Sequence, residues 1–383
     1  MKRYLSLDVF RGATVAFMIL VNNPGSWAHL FPPLSHATWH GCTPADLVFP
    51  FFLFAVGNAM AFVLPKMEKE ADVIFWKKIS TRFLLIFLIG LMLNWFPFFK
   101  YNDEGNLVPK LLSRLRIFGV LQRIALCYFL AAIIIRYFKT SGAFVTAVFL
   151  MLVYWFICVS GNPADPYSLN GWFGTALDIK ILGADHLYKG EGVPFDPEGL
   201  MSTLAAVSSV LFGYLVGNYI MLKNKIEEQL NGLLIAGVLL LFSGYVWGMV
   251  FPINKKIWTS SYTVYSTGIA LMVLSLIIYV IELKNVTGWW SAFFEKFGKN
   301  ALFVFVLSGA LPRLLALIRI HHGIDASDKE KFISPLGWYY ENICAQVGAF
   351  DPRIGSLFYA ITLLLFFYFI AWLLDRKRIY IRV

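Results

Sequence analysis

A short polar segment between two apolar stretches holds the side chains best suited to chemistry. It reads HATWHGCTPADLVFP (36–50) and contains His36, His40 and Asp46. An imidazole has an unperturbed pKa of about 6.5 and accepts protons at neutral pH, and a carboxylate such as Asp46 would orient it. Asn22, at the end of the preceding apolar stretch, carries an amide that can donate to a developing oxyanion. The segment predicts a general base at His36, although a loop histidine is more often a plain surface group.

Charged residues within apolar stretches form a second group of candidates, because charge is costly there. Asp8 and Arg11 are three residues apart and share a helix face, which fits either a structural ion pair or a functional site. Arg116 and Arg123 are seven apart and would line one stripe of a helix that also carries Gln122. Guanidinium groups bind phosphate and carboxylate with a fixed fork geometry, so the stripe predicts an anion or carbonyl site. A structural network with nearby carboxylates is the alternative.

The segment 161–198 and the start of the next apolar stretch collect several charged residues. These are Asp178, Asp185, Lys189, Asp196 and Glu198. A solvated loop is the plain interpretation, but acidic groups beside a site would also attract an amine or bond sugar hydroxyls. We expect the substrate to contact four residues of the polar segments, namely His40, Asp185, His186 and Glu198. No HExxH or HxxEH spacing and no CxxC pair occurs, so no metal is expected.

Composition places this chemistry in a membrane. Of the 383 residues, 58% are hydrophobic, 17% are aromatic and only 15% are charged. Such a mixture excludes an ordinary soluble enzyme, a disordered chain and a disulfide scaffold. The net charge of +10 would suggest a nucleic-acid partner in a soluble protein. Here most basic residues flank apolar runs, where they set topology, so we expect the partner to be the lipid bilayer and not nucleic acid.

Ten apolar stretches approach the length that crosses a hydrocarbon core of about 30 Å. They lie near 6–23, 45–64, 80–98, 115–137, 142–160, 199–221, 231–250, 260–282, 299–318 and 355–374. The sequence therefore predicts an all-α, polytopic membrane helix bundle of about ten transmembrane helices, in one domain spanning 1–383. The stretch 335–350 is too polar and short for a span and predicts an interfacial or re-entrant piece.

Basic residues predict the orientation of this bundle. Both termini are basic, with Lys2 and Arg3 at the start and Arg382 near the end, and the short loops on the same side carry most of the loop lysines. The positive-inside rule then places both termini in the cytoplasm. Three long segments are predicted to be extracytoplasmic, 24–44, 161–198 and 319–354, and they hold all six histidines.

With these residues in place, the sequence resembles the membrane-bound heparan-α-glucosaminide N-acetyltransferases and their bacterial relatives, within a wider set of transmembrane acyltransferases. Eight stretches carry the resemblance, in order along nearly the whole chain. They are RYLSLDVFRG (3–12), VNNPG (21–25), HATWHGCTPADLVFPFFLFAVG (36–57), RIFGVLQRIA (116–125), LGADHLY (182–188), FDPEGLMSTL (195–204), NKKIWTSSYT (254–263) and FGKNALFVF (297–305).

The resemblance implies acetyl transfer from acetyl-CoA, delivered on the cytoplasmic side, to an amino sugar or glycan on the extracytoplasmic side. It places the active-site histidine on His36 and the asparagine on Asn22, with Asp46 expected to complete the catalytic group. The residues expected to hold acetyl-CoA are Arg11, Arg116, Gln122, Arg123 and Trp258. A bacterial cytoplasmic membrane is the expected location, and a homodimer is one open possibility.

Several alternatives remain open from the sequence. A transporter of a sugar or cell-wall fragment would also use ten helices and intramembrane arginines, and a scaffold subunit is a third class. The histidine could act as a base in direct transfer, which we favour, or carry the acetyl group covalently. Pairing of Cys42 with Cys344 is also left open, because nothing in the sequence fixes their separation.

Overall fold

The computed structural model describes residues 4–67, 70–324 and 330–381, and it is predominantly helical. Lys2, Arg3 and Arg382, which contribute to the predicted orientation, lie outside this part of the chain. The helices are α1 (Leu5–Asn22), α2 (Val48–Met67), α3 (Asp72–Trp95), α4 (Val120–Gly161), α5 (Phe173–Leu182), α6 (Leu200–Leu222), α7 (Ile226–Trp247), α8 (Ser260–Ile278), α9 (Trp289–Lys299), α10 (Ala301–Leu315), α11 (Pro335–Tyr339), α12 (Ala345–Val347) and α13 (Pro352–Arg376).

Membrane-spanning helices dominate the structure. Seven helices of the described residues are long and apolar enough to cross a membrane: α1, α2 with its preceding turn, α4, α6, α7, α8 with its following turn, and α13. The predicted all-α, polytopic membrane bundle is therefore confirmed. Helix α4 has 42 residues and is interrupted at Lys139 (φ 58°, ψ −166°), between the predicted spans 115–137 and 142–160. The count of ten spans and the orientation stay predictions, because α3 and α10 are not among the seven.

Glycines set the closest helix contacts in the bundle. Helix α6 packs against both α2 and α4, while α7 packs on α8 and α1 on α9. A Cβ atom at Gly57 would lie 1.9 Å from the Val210 carbonyl oxygen, and one at Gly213 would lie 2.1 Å from the Phe54 carbonyl oxygen. The two helices therefore approach backbone to backbone, as small residues allow in membranes. This crossing fixes α2, whose first turn carries part of the site.

The start of α4 differs from the prediction. The helix begins at Val120 and not at 115, because the preceding backbone bonds elsewhere. Asn94 donates from Nδ2 to the carbonyl oxygens of Arg116 (3.0 Å) and Phe118 (3.2 Å), and the nitrogen of Ile117 donates to the His186 carbonyl oxygen (3.1 Å). Arg116 therefore lies in a non-helical segment before α4. The predicted helical stripe through Arg116 and Arg123 is wrong.

The structure also contains two small antiparallel hairpins, which were not predicted from the sequence, and a short helical segment. Strand β1 (Phe99–Tyr101) pairs with β2 (Leu107–Pro109), and β3 (Ile320–Ile324) pairs with β4 (Glu330–Ile333). The predicted interfacial stretch 335–350 forms α11, a π-helical turn and α12. All four cysteines are free, Cys42 and Cys344 included.

Candidate active site

Chain segments from five parts of the sequence meet around a cavity of about 270 Å³. They are the end of α1, the segment leading into α2, the segment before α4, the loop before α6 and the loop before α8. Six of the residues selected from the sequence line the cavity: Asn22, His36, Asp46, Arg116, Glu198 and Trp258. The lining also includes four polar residues that were not selected: Tyr188, Glu191, Lys255 and Lys256.

A histidine and a buried carboxylate form the most ordered part of this cavity. His36 Nδ1 lies 2.8 Å from Asp46 Oδ1, and the Asp46 side chain is only 1% exposed. Asp46 Oδ2 accepts hydrogen bonds from the nitrogens of Ala37 (3.1 Å) and Thr43 (3.0 Å) and from Thr43 Oγ1 (3.1 Å). An ionised carboxylate only accepts, so Nδ1 carries the proton and Nε2 keeps its lone pair. Nε2 is therefore the basic atom.

Local sequence explains why this pair forms. Thr43 is the N-cap of the turn Pro44–Leu47, where a Thr cap followed by Pro is favoured, and the Thr43 nitrogen donates to the Asp46 carboxylate. Gly41, with φ 110°, adopts a conformation that suits glycine and donates from its nitrogen to the Ile253 carbonyl oxygen (2.7 Å). This bond ties the segment to the loop before α8.

An arginine fork closes another wall of the cavity. Arg116 donates from Nε to Asp196 Oδ2 (2.8 Å) and from Nη2 to Asp196 Oδ1 (2.6 Å), and Nη2 also reaches Glu198. The guanidinium carbon lies 4.8 Å from the centre of the Tyr188 ring. Because paired bonds of this kind fix orientation, the fork holds the 188–198 loop over the cavity.

Arg123 and Trp258 present unused donors next to the same cavity. Arg123 is fully buried, donates from Nη2 to the Gly199 carbonyl oxygen (3.0 Å) and to Ser202 Oγ, and lies 5.2 Å from the centre of the Trp258 ring. Within the described residues, Nε and Nη1 of Arg123 and Nε1 of Trp258 have no hydrogen-bond partner. Buried donors are normally bonded, so these three nitrogens have unused hydrogen-bonding capacity. Trp258 lines the cavity, whereas Arg123, an expected acetyl-CoA contact, lies outside its lining.

Lys255 is the principal residue that the sequence analysis missed. Its Nζ lies 3.1 Å from Nδ1 and 3.3 Å from Nε2 of His36, and 3.4 Å from Asp46 Oδ1. Burial lowers the pKa of Lys255, and the Asp46 and Glu198 carboxylates oppose that shift. Two signals could have found it: cations on the predicted outer side run against the positive-inside rule, and Lys255 lies in the matching stretch 254–263.

Three expected substrate contacts lie outside the cavity lining. Asp185 is exposed and pairs with Lys189 (3.0 Å). His186 Nδ1 lies 2.7 Å from the Leu115 carbonyl oxygen, so it braces the segment that carries Arg116. His40 Nδ1 lies 3.4 Å from Asn254 Nδ2, and burial lowers the pKa of His40.

Two expected cofactor contacts are also placed elsewhere. Gln122 is buried against Gly90 of α3. Arg11 pairs with Asp8 (2.8 Å) and donates from Nε to the Gly298 carbonyl oxygen (2.9 Å), so the ion pair that their spacing suggested is present.

A second, larger cavity lies toward the other end of α1 and α2. Its volume is about 610 Å³, and its lining includes three cations and two tyrosines, namely Arg11, Arg82, Lys299, Tyr128 and Tyr380. Arg11 and Asn22 are eleven residues apart on α1, which corresponds to roughly 16 Å along a helix. The second cavity thus lies further toward the start of α1 and the end of α2 than the first.

Comparisons with known proteins agree with the resemblance described above. Residues 3–175 match a family model described as heparan-alpha-glucosaminide N-acetyltransferase, catalytic. The heparan-alpha-glucosaminide N-acetyltransferase of Homo sapiens is 25% identical over 367 residues, covering 79% of this chain and 52% of the relative. That of Mus musculus is 26% identical over 365 residues, covering 79% and 53%. The chain spans about half the length of these curated relatives.

The part that the family model matches holds Asn22, His36, Asp46 and both site arginines, whereas Glu198, Lys255 and Trp258 lie beyond it. The resemblance is confirmed: the chain is similar to the heparan-α-glucosaminide N-acetyltransferases, and its residues 3–175 match the model of that family's catalytic region.

Proposed function

We propose that the protein is a transmembrane acyltransferase that moves an acetyl group from acetyl-CoA to the amine of an amino sugar. The observation that carries this proposal is the His36–Asp46 pair, held at 2.8 Å in a cavity that Asn22 also lines. A base oriented by a buried carboxylate, next to an amide donor, is the arrangement that acyl transfer requires. The names of the relatives favour the same chemistry.

In the proposed reaction, His36 Nε2 accepts a proton from the attacking amine. The amine nitrogen bonds to the thioester carbon, and the carbonyl oxygen takes the negative charge, which the Asn22 amide stabilises. The carbonyl then reforms, the bond from carbon to sulfur breaks, and the proton held by His36 passes to the departing thiolate. The products are the N-acetyl sugar and CoA.

Acetyl-CoA fits the polar groups of both cavities. The unpartnered nitrogens of Arg123 and Trp258 suit an oxygen of the donor near its reacting end. At the opposite end, Arg11, Arg82 and Lys299 suit the phosphate groups of the nucleotide, since cations bind such groups strongly. We therefore propose that acetyl-CoA enters from the cytoplasmic side of a bacterial cytoplasmic membrane, with the acceptor on the other side.

The acceptor would bind beside Glu198 and Glu191, whose carboxylates line the His36 cavity together with the Tyr188 ring. Carboxylates attract an ammonium group and accept bonds from hydroxyls, and a ring offers a face to the sugar. His186 then has a supporting role through the segment before α4.

We favour direct transfer over an acetyl-histidine intermediate. The His36 side chain is 32% exposed. An acyl-imidazole at such a position would be hydrolysed unless water were excluded, whereas a base has no such requirement. Single-turnover incubation with labelled acetyl-CoA and no acceptor tests this choice, since stable label on His36 would contradict it.

The proposed function is tested with the full chain purified in detergent. Wild type is expected to release CoA and acetylate glucosamine in equal amounts. His36→Ala should lower turnover by about 100- to 10,000-fold, the usual contribution of a general base, while acetyl-CoA still binds. His29→Ala, in an exposed loop, is the matched control and should stay near wild type. Absence of acetyl transfer in wild type, or near-normal turnover of His36→Ala, would contradict the proposal.

A further inference from the structure

The position of Lys255 over the His36 ring carries an inference beyond the base and the amide donor. Its Nζ is almost equidistant from the two ring nitrogens, at 3.1 and 3.3 Å. Cε1 lies between those nitrogens, so an atom at these distances in the ring plane would collide with it. The ammonium therefore lies over the ring face, and it does not occupy the lone pair of Nε2, which points outward in the ring plane.

Burial lowers the pKa of Lys255, and two neighbouring carboxylates act against it to favour the protonated form. Asp46 Oδ1 lies 3.4 Å from Nζ, and the Glu198 carboxylate acts in the same direction. The Lys255 side chain is 20% exposed and lines the cavity, so its ammonium protons are accessible to a ligand. A charged donor of this kind forms bonds roughly twice as strong as a neutral one.

The chemistry of amine attack fixes where such a donor is needed. A general base works within about 2.6–3.2 Å of the proton-bearing nitrogen, and that nitrogen approaches the carbonyl carbon from about 3–3.5 Å. The oxygen that becomes negative is bonded to this carbon, so it lies only a few ångströms from Nε2. Lys255 Nζ, 3.3 Å from Nε2, is within reach of that oxygen.

We propose that Lys255 is a second donor to the oxyanion, alongside Asn22, and so a catalytic residue of the transfer. This inference rests on the proposed function. The Lys255 ammonium keeps its protons throughout: it bonds the negative oxygen while the bond from nitrogen to carbon forms, and it releases that oxygen when the bond from carbon to sulfur breaks. The proton from the amine still travels through His36 to the thiolate.

Lys255→Met removes the donor, and Lys189→Met is the matched control. Lys189 is exposed, lies outside the cavity lining and pairs with Asp185 at 3.0 Å. Losing one oxyanion donor lowers kcat by about 100- to 1,000-fold. We expect this loss in Lys255→Met at every pH, with the KM for acetyl-CoA changed less than about threefold. Lys255→Arg, which keeps charged donors, should retain at least about tenfold more activity than Lys255→Met.

The outcomes separate this inference from the proposed function. If wild type transfers acetyl and Lys255→Met has a normal kcat, the proposed function stands while the role of Lys255 is overturned. A pH profile that shifts while its plateau stays at the wild-type level also overturns it, because Lys255 would then act only on His36. A loss of equal size in Lys189→Met has the same meaning. Wild type without any transfer overturns the proposed function and this inference together.

A variant that fails to fold does not end the test. Thermal unfolding in detergent is measured for each variant, and Lys255→Gln replaces Lys255→Met if the latter melts early. Glutamine keeps a neutral donor, so a kcat loss of at least about tenfold is still expected from the missing charge.

Discussion

Replacing Asp46 by asparagine tests how the carboxylate orients the base. Asp46 Oδ1 accepts from His36 and faces Lys255, whereas Oδ2 accepts from the nitrogens of Ala37 and Thr43 and from Thr43 Oγ1. An asparagine offers one oxygen and one NH₂ group. Its NH₂ group is a donor, and it must face either the donors now at Oδ1 or the donors now at Oδ2.

The number of bonds decides which way the amide turns. With NH₂ at the Oδ2 position, the nitrogens of Ala37 and Thr43 lose their acceptor, at about 1–3 kcal/mol each. The Thr43 hydroxyl still donates to the Ser35 carbonyl oxygen (2.7 Å). With NH₂ at the Oδ1 position, only the bond to His36 Nδ1 and the weaker Lys255 contact are affected. The ring can keep the first of these by moving its proton to Nε2. The second orientation is therefore favoured, and the protein should still fold.

This orientation inactivates the base, because a protonated Nε2 cannot accept a proton from the amine. Asp46→Asn is expected to lower kcat by about 1,000- to 10,000-fold, as the same replacement does in serine-protease triads. The assay is CoA release with glucosamine as acceptor, with thermal unfolding measured in parallel.

Asp185→Asn is the matched control for this prediction. Asp185 is exposed and pairs only with the nearby Lys189 in the described structure. The activity of the Asp185→Asn variant should therefore stay within about twofold of wild type. A folded Asp46→Asn protein that keeps more than about one tenth of wild-type kcat would refute the argument, because the tautomer would then not control the reaction.

Three further predictions concern the frame around the site. Arg116→Lys should lower kcat/KM by at least about tenfold, because an ammonium cannot reproduce the fork to Asp196; wild-type kinetics would contradict this. Burial raises the pKa of Asp178 to about 7, above its unfolded value of about 3.9. The neutral carboxyl therefore contributes stability at low pH, and this contribution is lost as the pH rises from about 4 through 7. Asp178→Asn should therefore melt at a higher temperature than wild type at pH 8 but not at pH 4, and an equal difference at both would speak against it. Gly213→Ala should cost about 1–3 kcal/mol of unfolding free energy, since its Cβ would lie 2.1 Å from a carbonyl oxygen of α2. The control Gly309→Ala, whose Cβ would make ordinary contacts, should melt near wild type. Equal melting of the two variants would show that α2 and α6 can separate.

The helical fold was accessible from the sequence because its signal is local. Runs of apolar residues identify membrane helices without knowledge of their neighbours. Each predicted stretch overlaps a helix, with 115–137 and 142–160 sharing α4. The start of α4 was missed because it depends on distant partners: Asn94 and His186 take the backbone bonds that a helix would use. Hydropathy carries no information about such bonds.

The same distinction applies to the site. His36 and Asp46 are ten residues apart in one polar segment, so their pairing was open to prediction. Lys255 is 219 residues from His36, and only the packing of the loop before α8 against the segment before α2 brings them together. Arg116 was selected for its charge, but its direction comes from Asp196, 80 residues away. Contacts at such separations follow from the assembled bundle and not from spacing.

Acetyl transfer across a sealed membrane tests the central claim most directly. Wild-type protein is reconstituted in proteoliposomes, with acetyl-CoA supplied only on the side of the Arg11 cavity and glucosamine only on the side of the His36 cavity. Orientation is established by labelling an introduced surface cysteine. We predict that N-acetylglucosamine forms on the glucosamine side, with an equal amount of free CoA left on the other. Unmodified glucosamine crossing the membrane without CoA release would contradict the account and identify a transporter instead.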